Sequence, residues 1–589
     1  MKNPLQILFT CFIISLVVSN LNAQTGPGGV GGHELDITPG SPINALWLRA
    51  HDLGFSNGEY VSTWNDVSGY NHTAVPAKQT NAGLYFQTDK ENGHPWVHFN
   101  GTNYLKVANH EVLDGGEGFG IFAIAKRDPL TAQKYESHNY VLAKRAHWNA
   151  WSHTASIPME AGEGGLNHAY ELRWDRIRSV VDDEFYPDTM ALTAFMNGNL
   201  PDGAGSVVQP KKEETIDIEK SYLISYCYSN HEESVGAFVR VNGSLSTRST
   251  SRQNPNPNRV GPVVQSTKDL YLGAAEYDPP GAFGEGSDRE DCPTCAETGI
   301  LEGALSEVII YKGTLWPTHV TIIENYLALK YDLPLKEEAQ YYYDEVYVHD
   351  LVGIGNEEGD DKKHSRSISH ALTIEEWNES LNAPKNYLFA AHDGLSYEWT
   401  SDGLENNNLQ RWGRTWRLHK MEEMDVNLSF NFLQAELNLI TSQVPNYKIA
   451  YKENPEDNFE VITDITATRQ LRTLTFNVPN DVLKSGYYTI VYGTGEGTNI
   501  AIDENFIKSL QIFPSPAQSD VNISFANYHK GDVTIRFTDI TGREVSKIND
   551  FKSEDHFKRN ISIEHLQRGV YIVEVFIDGK KGVKRIIKQ

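Results

Sequence analysis

The sequence predicts an all-β protein built from several sandwich domains. Short runs rich in β-branched and aromatic residues recur along the chain, and Gly, Asp, Asn or Pro residues bound them. The chain has 589 residues, which is enough for three or four domains, and combines 47 glycines with 11% aromatic residues. One segment, Thr318 to Tyr331, has clear helical periodicity. Together these observations favour sandwiches joined by turns and loops.

The first 40 residues have the pattern of an export signal followed by a linker. A positive charge near the start precedes a largely apolar stretch from Leu5 to Val18, and small Ala23 precedes Gln24. This pattern predicts a signal peptide over residues 1–23, cleaved between Ala23 and Gln24. The glycine-rich stretch within 24–40 predicts a flexible linker. No later segment approaches about 18 consecutive apolar residues, so we expect no transmembrane segment in the mature chain.

Residues 41–336 predict a two-sheet sandwich or jelly roll. Turn residues separate eight runs of strand-like composition, namely Ala45–Arg49, Val61–Trp64, Trp96–Phe99, Ile121–Ala125, Tyr222–Tyr226, Ala237–Val241, Leu270–Gly273 and Leu305–Tyr311. The single helix is expected to begin near Pro317, because proline suits the first helical position. Its apolar residues predict one buried face.

Several motifs of this segment resemble the laminin G-like, concanavalin A-like lectin/glucanase domains of bacterial surface proteins. The marks are Leu46-Trp-Leu-Arg-Ala50, Trp64-Asn-Asp-Val-Ser-Gly-Tyr-Asn71, Phe99-Asn-Gly101, Val241-Asn-Gly243 and Tyr326-Leu-Ala-Leu-Lys-Tyr331. Asp332 stands where the family usually ends this helix with Gly, and Asp tolerates the left-handed conformation. The resemblance implies a concanavalin-like jelly roll over 41–336. Because this fold hosts many functions, the resemblance implies the ligand only broadly, as a glycan or a surface protein.

The same resemblance raises the alternative of a glycoside hydrolase. Glycosidases of this fold carry carboxylates at alternate positions of one strand, one as nucleophile and one as acid/base. The nearest match is Thr215-Ile-Asp-Ile-Glu219, in which Asp217 and Glu219 share a face but Thr215 occupies the nucleophile position. No other familiar catalytic signature occurs in the sequence. The sequence therefore favours a binding protein over an enzyme, with Asp217 and Glu219 as the catalytic candidates.

An aromatic and histidine-rich segment provides the ligand-binding candidates. These are His147, Trp148, Trp151 and Trp174. Indole rings in such a segment either stack on sugar rings or pack in a core, and packing is the preferred interpretation. The spacing of the histidines in this region, His138, His147, His153 and His168, fits no standard metal-ligand set.

Calcium is the ion that the sequence favours as a cofactor. Oxygen donors occur in two loops, one with Asp66 and Asn71 and the other with Asp278, Asp288 and Asp291. A tight turn requires the same residue types at Asp66 and Asn71, and for that loop we prefer the turn interpretation.

Three cysteines follow the predicted signal peptide, so at most one disulfide forms within the chain. Two residues separate Cys292 from Cys295 in a loop rich in Gly, Asp and Pro, and no second pair or paired histidine completes a zinc site. In an exported protein we expect a local disulfide between Cys292 and Cys295.

Residues 337–495 predict a second β-sandwich, followed by a linker over 496–506. The strand-like runs include Tyr387–Ala391, Val426–Phe430, Tyr447–Tyr451 and Tyr487–Tyr492. The segment resembles an uncharacterised domain that often follows laminin G-like domains, through Gly353-Ile-Gly355, Ser365-Arg-Ser367 and Arg414-Thr-Trp-Arg417. This resemblance implies no function.

Residues 507–589 predict a small immunoglobulin-like β-sandwich of about seven short strands, with hairpin-type turns at Thr541-Gly542 and Asp578-Gly579. The module resembles the C-terminal sorting domain of type IX secretion cargo, through Phe513-Pro-Ser-Pro-Ala517, Gly542-Arg543, Leu566-Gln-Arg-Gly-Val-Tyr571 and Lys584-Arg-Ile-Ile587. That resemblance implies export across both membranes to the cell surface or medium. It implies the type IX translocon and sorting machinery as partners and lipopolysaccharide as a candidate anchor.

The charge of the chain separates the C-terminal module from the rest. The net charge is −26, and residues 503–589 hold 14 basic and 12 acidic residues, so this module carries +2 and the remainder −28. Such a body repels nucleic acid, which we exclude as a partner, and suits neutral glycans or divalent cations. We favour a surface protein that binds glycans or other proteins in adhesion or nutrient capture. A glycan-processing enzyme and a structural spacer are the alternatives.

Overall fold

The computed structural model describes residues 25–589 with gaps at 36–40, 79–82, 89–92, 130–137, 146–167, 179–184, 200–204, 209–210, 216, 218–219, 232–235, 246–260, 277–296, 299, 337–339, 342–345, 407, 440–443, 445, 494–505, 507–508, 527–529, 540–542 and 578–579. The predicted signal peptide and its cleavage site at Ala23 and Gln24 lie outside these residues. In the described part of the chain, no helix is long and apolar enough to span a membrane.

Two compact units make up the chain. The first contains residues up to Gly394 together with Arg417–Ser429 and Val478–Ser485, and the second contains Leu395–Trp416, Phe430–Asn477 and Gly486–Gln589.

The first 18 strands belong to the first unit. They are β1 (Ile43–Arg49), β2 (Val75–Pro76), β3 (Leu84–Thr88), β4 (Pro95–Asn100), β5 (Leu105–Val107), β6 (Gly118–Arg127), β7 (His138–Arg145), β8 (His168–Arg178), β9 (Phe185–Asn199), β10 (Gly205–Val208), β11 (Lys211–Thr215), β12 (Ser221–Ser229), β13 (Gly236–Val241), β14 (Ser244–Leu245), β15 (Leu270–Leu272), β16 (Ala275–Glu276), β17 (Glu297–Thr298) and β18 (Glu302–Lys312).

Sixteen of these strands form two large antiparallel sheets, and β16 pairs with β17 in a separate two-stranded sheet. One has the order β14-β13-β12-β6-β18-β4-β3, with β1 also on β18, and the other has the order β10-β9-β8-β7-β15-β5-β2, with β11 also on β9. Alternate residues of both sheets meet in one apolar core, for example Leu48, Ile121, Leu172 and Tyr226. The predicted all-β class and two-sheet sandwich are confirmed.

Further along, the described residues include one α-helix over 317–331 and 20 more strands. The helix α1 spans Pro317–Tyr331, and the strands are β19 (His349–Asn356), β20 (Arg366–Ser369), β21 (Leu372–Trp377), β22 (Asn386–His392), β23 (Trp399–Thr400), β24 (Leu409–Trp412), β25 (Trp416–Lys420), β26 (Asp425–Asn431), β27 (Tyr447–Lys452), β28 (Glu460–Ile462), β29 (Thr468–Gln470), β30 (Thr473–Val478), β31 (Gly486–Gly493), β32 (Gln511–Phe513), β33 (Asp520–Ala526), β34 (Gly531–Asp539), β35 (Glu544–Lys552), β36 (His556–Ser562), β37 (Gly569–Ile577) and β38 (Lys580–Lys588).

The helix α1 is buried on all sides rather than on one face. Thirteen of its 15 residues are buried, because it packs between the outer side of the first sheet and strands β19 and β22. It begins at Pro317 as predicted, and Asp332 ends it in the left-handed conformation at φ 50°. The prediction of a single buried face was wrong. The spacing of apolar residues indicates one packing surface, whereas this helix packs on two sides.

The glycine-rich stretch after Gln24 is packed, which corrects the expectation of a flexible linker for residues 25–32. Residues 27–30 are buried, and the Tyr311 hydroxyl donates to the Val30 carbonyl at 2.9 Å. Gly28 has φ 69°, and a Cβ there would lie 2.8 Å from the side chain of Ile322. Glycine is therefore required here for close approach to the helix, not for flexibility.

The C-terminal module in the second unit has its own core. Its seven strands form a sheet β32-β33-β36 and a sheet β35-β34-β37-β38, as predicted in number and class. Apolar side chains from Phe506 to Ile586 fill the space between them. Phe506 is fully buried and packs on Phe525 at 4.8 Å between ring centroids. The module therefore contains the contacts of a folded domain within about 84 residues.

Candidate functional site

Strand β11, which was predicted to carry a pair of catalytic carboxylates, ends before it reaches Asp217. Strand β11 stops at Thr215, so Asp217 lies beyond it and the alternation of faces does not reach it. Asp217 is exposed and pairs with the ammonium of Lys220. Glu219 lies outside the described residues. The predicted strand geometry at Asp217 is thus corrected, and Asp217 has the surroundings of a solvated surface carboxylate.

Asp66 has the contacts of a turn residue. Its Oδ1 accepts the backbone N–H of Trp47 and of Ser68, each at 2.9 Å, and its Oδ2 accepts the Ser68 hydroxyl at 2.8 Å and the His72 N–H at 2.9 Å. Asn71 adopts φ 59° and is exposed. Both Asp66 oxygens are therefore occupied by donors of the chain, which supports the turn interpretation of this loop over a calcium site.

In the described part of the chain, no group of three or more His, Cys, Asp or Glu side chains is placed to hold a metal ion. Asp278, Asp288 and Asp291, the other proposed calcium ligands, lie outside the described residues. Cys292 and Cys295 do as well, so their disulfide stays a prediction. Cys227, the cysteine that the structure does describe, is buried on strand β12.

Trp174 belongs to the core of the first sandwich. It is fully buried, and its ring packs on Tyr222 at 6.3 Å between centroids. Its candidacy as a surface residue for sugar stacking is therefore corrected. His147, Trp148 and Trp151 lie outside the described residues, and their role stays a prediction.

A different group of aromatic side chains reaches the surface of the second unit. Trp412, Trp416, Phe430 and Phe432 are buried in its core. At the margin of this cluster, Trp399 and Tyr492 are only half-buried. Their ring centroids are 6.1 Å apart, and the buried ring of Tyr447 lies 4.7 Å from that of Tyr492. We call Trp399, Tyr447 and Tyr492 the aromatic platform.

Strand pairing places Tyr492 of the platform next to Gln410, which carries a side-chain amide. Trp399 lies on the short edge strand β23 opposite Trp412 of β24, and Tyr492 of β31 lies between Gln410 of β24 and Tyr447 of β27. Gln410 is half-buried. Burial raises the pKa of Tyr492 despite the hydrogen bond with the Asn446 side chain, so its hydroxyl stays protonated at neutral pH. The platform thus combines ring surface with hydroxyl and amide groups.

The surroundings of the platform in sequence are acidic. Glu398, Asp402 and Glu405 are exposed, and all three lie within six residues of Trp399. Arg411, the basic residue of β24, donates to the Asp402 carbonyl at 2.6 Å and lies over the Phe459 ring at 4.9 Å. The three exposed carboxylates therefore add negative charge to the stretch of chain around Trp399.

A buried ion pair in the first unit joins the motifs on which the family resemblance rests. Glu307 of β18 is fully buried. Its Oε1 accepts from Trp47 Nε1 at 2.6 Å, and its Oε2 accepts from Lys330 Nζ at 2.6 Å and the Tyr331 hydroxyl at 2.8 Å. Burial acts to raise the pKa of Glu307, but Lys330 and these hydrogen bonds hold it below its usual value. These motif residues therefore serve packing rather than ligand binding.

Three histidines of the first unit predict acid sensitivity. Burial lowers the pKa of His319 to about 3 and of His364 to about 4, and burial together with Arg417 lowers the pKa of His419 to about 4. In the unfolded chain these rings take up protons near pH 6.5. Because the unfolded state binds more protons, the free energy of unfolding should fall as the pH drops from about 7 to about 4.

Urea denaturation at a series of pH values measures this dependence. The His319→Gln and His364→Gln variants should each have a flatter pH profile than the wild type, and substitution of the exposed His565 is the control. A wild-type unfolding free energy that is constant over this pH range would contradict the assignment.

Comparison with known proteins identifies the C-terminal module. Residues 511–589 match the family described as the secretion system C-terminal sorting domain. The chain therefore carries a sorting domain of secreted cargo, and this match supports the predicted type IX route to the cell surface or medium. No curated protein matches the chain significantly.

Three solved structures show distant likenesses to this chain. Domain 4 of the extracellular arabinanase AbnA from Geobacillus stearothermophilus is 12% identical, covers 46% of this chain and 100% of its own, and has a TM-score of 0.24. The endo-1,3-beta-glucanase from Streptomyces sioyaensis is 13% identical, with 50% and 100% coverage and a TM-score of 0.22. The binding domain of botulinum neurotoxin serotype D is 11% identical, with 88% and 97% coverage and a TM-score of 0.28. Likenesses at this level indicate no ligand or activity for this chain.

Proposed function

We propose that the chain is an exported cell-surface protein that binds neutral glycans through the aromatic platform. The half-exposed pair Trp399 and Tyr492 is the observation that carries this proposal. Export supports it, because the sorting domain directs the protein to where glycans are presented. The predicted signal peptide would begin this route, and the type IX machinery would complete it, with lipopolysaccharide as the candidate anchor of the delivered protein.

The chemistry of the platform suits a sugar ring. A pyranose has apolar C–H faces and a hydroxyl-rich edge, so it needs a flat aromatic surface next to donors and acceptors. Trp399 and Tyr492 provide such surface, and Gln410 and Asn446 provide amide groups beside Tyr492. A lipid or an apolar protein surface would leave these polar groups without hydrogen bonds, which costs free energy.

Charge narrows the class of glycan. The three exposed carboxylates near Trp399 and the charge of −28 outside the sorting module repel uronate-rich or phosphorylated polysaccharides. A neutral oligosaccharide avoids this cost, and its hydroxyl groups can donate hydrogen bonds to carboxylate oxygens. The proposed ligands are therefore neutral hexose or pentose polymers.

Replacement of Trp399 by alanine tests the platform. We expect Trp399→Ala to weaken binding at least about fivefold, because truncating a central aromatic contact residue costs more than about 1 kcal/mol. Trp399→Phe should retain most of the affinity, since it keeps a ring. The measurement is a glycan array followed by calorimetric titration with neutral hexasaccharides of glucose, xylose and arabinose.

The control is Leu471→Ala, which truncates a side chain that is 83% exposed and lies outside the platform. Wild-type affinity in Trp399→Ala would contradict the platform. If Trp399→Ala binds normally, the ligand site lies outside the platform and the first sandwich becomes the candidate. Release of shortened sugars would indicate the glycosidase alternative. If the wild type binds no glycan on the array, a protein ligand or a structural spacer is favoured.

A further inference from the structure

Lys144 of β7 occupies an unusual position for a lysine. Its side chain is fully buried at one end of the core between the two sheets of the first sandwich. Lysine is rarely buried in this way unless its ammonium is surrounded by partners, since a bare charge there is costly. The groups around Lys144 Nζ therefore determine whether its charge is stable at this buried position.

Four oxygen atoms surround the ammonium of Lys144. Its Nζ donates to Asn109 Oδ1 at 2.5 Å and to the carbonyls of Ser266 and Lys268 at 2.9 Å each, and it pairs with Asp114 Oδ1 at 3.0 Å. Asp269 adds a further negative charge nearby. We call Asn109, Asp114, Ser266 and Lys268 the oxygen cage.

The cage is held in place by contacts other than those with Lys144. The Ser266 N–H donates to Asp114 Oδ1 at 3.3 Å, and the Asn109 N–H donates to Asp269 Oδ1 at 3.0 Å. Asp114 ends the short 3-10 helix Glu111–Asp114, whose first turn is capped by His110. The oxygens therefore converge through the fold of the surrounding loops and not only through attraction to the ammonium.

A set of carboxylate, amide and carbonyl oxygens around one point is also what a hard cation requires. Calcium takes such ligands at 2.3–2.6 Å, whereas an ammonium takes them at about 2.7–2.9 Å. The two differ by a few tenths of an ångström per contact, which loop side chains and carbonyls can accommodate. The cage therefore has the donor chemistry of a calcium site with an internal cation in the place of the metal.

We propose that the oxygen cage is a cation site filled by Lys144, which makes the first sandwich independent of calcium, and that a hard divalent cation enters the cage once the ammonium is removed. This proposal does not depend on glycan binding. The sequence favoured calcium for this domain, but it placed the ligands at Asp66, Asn71, Asp278, Asp288 and Asp291. The cage involves none of these residues.

Thermal unfolding of the full mature chain tests the proposal. The wild-type melting temperature should not change with EDTA or with about 10 mM CaCl₂, a concentration that fills weak extracellular calcium sites. Lys144→Ala should melt at least about 5 °C lower, because it leaves a carboxylate buried without its partner. Calcium should raise its melting temperature again, and ammonium chloride should do so by replacing the lost group.

The matched control is Lys220→Ala, which removes an exposed lysine from its carboxylate partner Asp217. It should change neither the melting temperature nor its response to ions. The double variant Lys144→Ala with Asp114→Asn should be more stable than Lys144→Ala and should no longer respond to calcium, because the cage has lost its anionic ligand.

Two results would overturn the proposal. One is a wild-type melting temperature that rises with calcium, which would place a metal site elsewhere in the domain. The other is a Lys144→Ala protein that responds to neither calcium nor ammonium. If that variant folds only when one of the two ions is present, the proposal is supported. If it folds with neither ion while the double variant folds, the proposal is rejected.

Discussion

A chain truncated before Phe506 is expected to accumulate in the periplasm and to be lost from the cell surface. The match to the secretion sorting domain covers residues 511–589, and the core of the module extends back to Phe506. Removal of residues 506–589 therefore takes away one complete core and its seven strands. Proteinase K digestion of intact cells, followed by immunoblotting of periplasmic and surface fractions, measures the distribution. We expect surface delivery to fall to background.

The exposed-pair variant Asp217→Asn serves as the control for delivery, because it changes the body of the protein without touching the sorting module. A reporter fused to residues 503–589 provides the reverse test, and it should reach the surface if it also carries a signal peptide. Normal surface delivery of the truncated chain would show that the signal lies elsewhere and would remove the type IX assignment.

Local sequence patterns were sufficient to predict those features of the fold that depend on residues close together in the sequence. The sorting module alternates buried and half-exposed residues along Val521–Phe525 and Val533–Phe537, so the strand pattern predicted the observed faces. Pro317 and Asp332 bound the helix as their conformational preferences require. In both cases the information lies within a few residues of the element itself.

Buried charges could not be predicted in the same way, because their partners lie on other elements, from about 20 to 260 residues away. Glu307 lies in a largely apolar strand, and Trp47, whose indole N–H it accepts, is 260 residues away. Lys144 and the Ser266 carbonyl are 122 residues apart. Only the fold brings these groups together. The hydrophobicity pattern can indicate that a charged residue lies in a buried strand, but it cannot identify the residue that pairs with it.

The aromatic platform was missed for a related reason. Its rings come from three separated strands, β23, β27 and β31, and each looks like an ordinary strand aromatic in sequence. The signal that was available, a tryptophan flanked by Glu398 and Asp402, is weak by itself. The indole-rich segment with Trp148 and Trp151 attracted the prediction instead, because aromatic residues are denser there.

Replacement of Glu307 by alanine is expected to lower the free energy of unfolding of the first unit by about 3–5 kcal/mol, the range for breaking a buried ion pair from one side. The Lys330 ammonium would remain at the C-terminal end of α1 without its carboxylate, and the Trp47 indole N–H and Tyr331 hydroxyl would lose their acceptor. Each loss leaves a desolvated donor, which is why the cost exceeds that of one hydrogen bond. Urea denaturation followed by tryptophan fluorescence is the measurement.

The double variant Glu307→Ala with Lys330→Met separates the charge from the cavity. It removes the unpaired ammonium, so it should be more stable than Glu307→Ala alone although it lacks both partners. Asp217→Asn is the surface control, since the side chains of Asp217 and its partner Lys220 are 58% and 69% exposed and solvent screens their attraction. If Glu307→Ala costs no more than Asp217→Asn, the ion pair does not hold α1 to β18. If the double variant is no more stable than Glu307→Ala, the cost arises from the cavity and not from the charge.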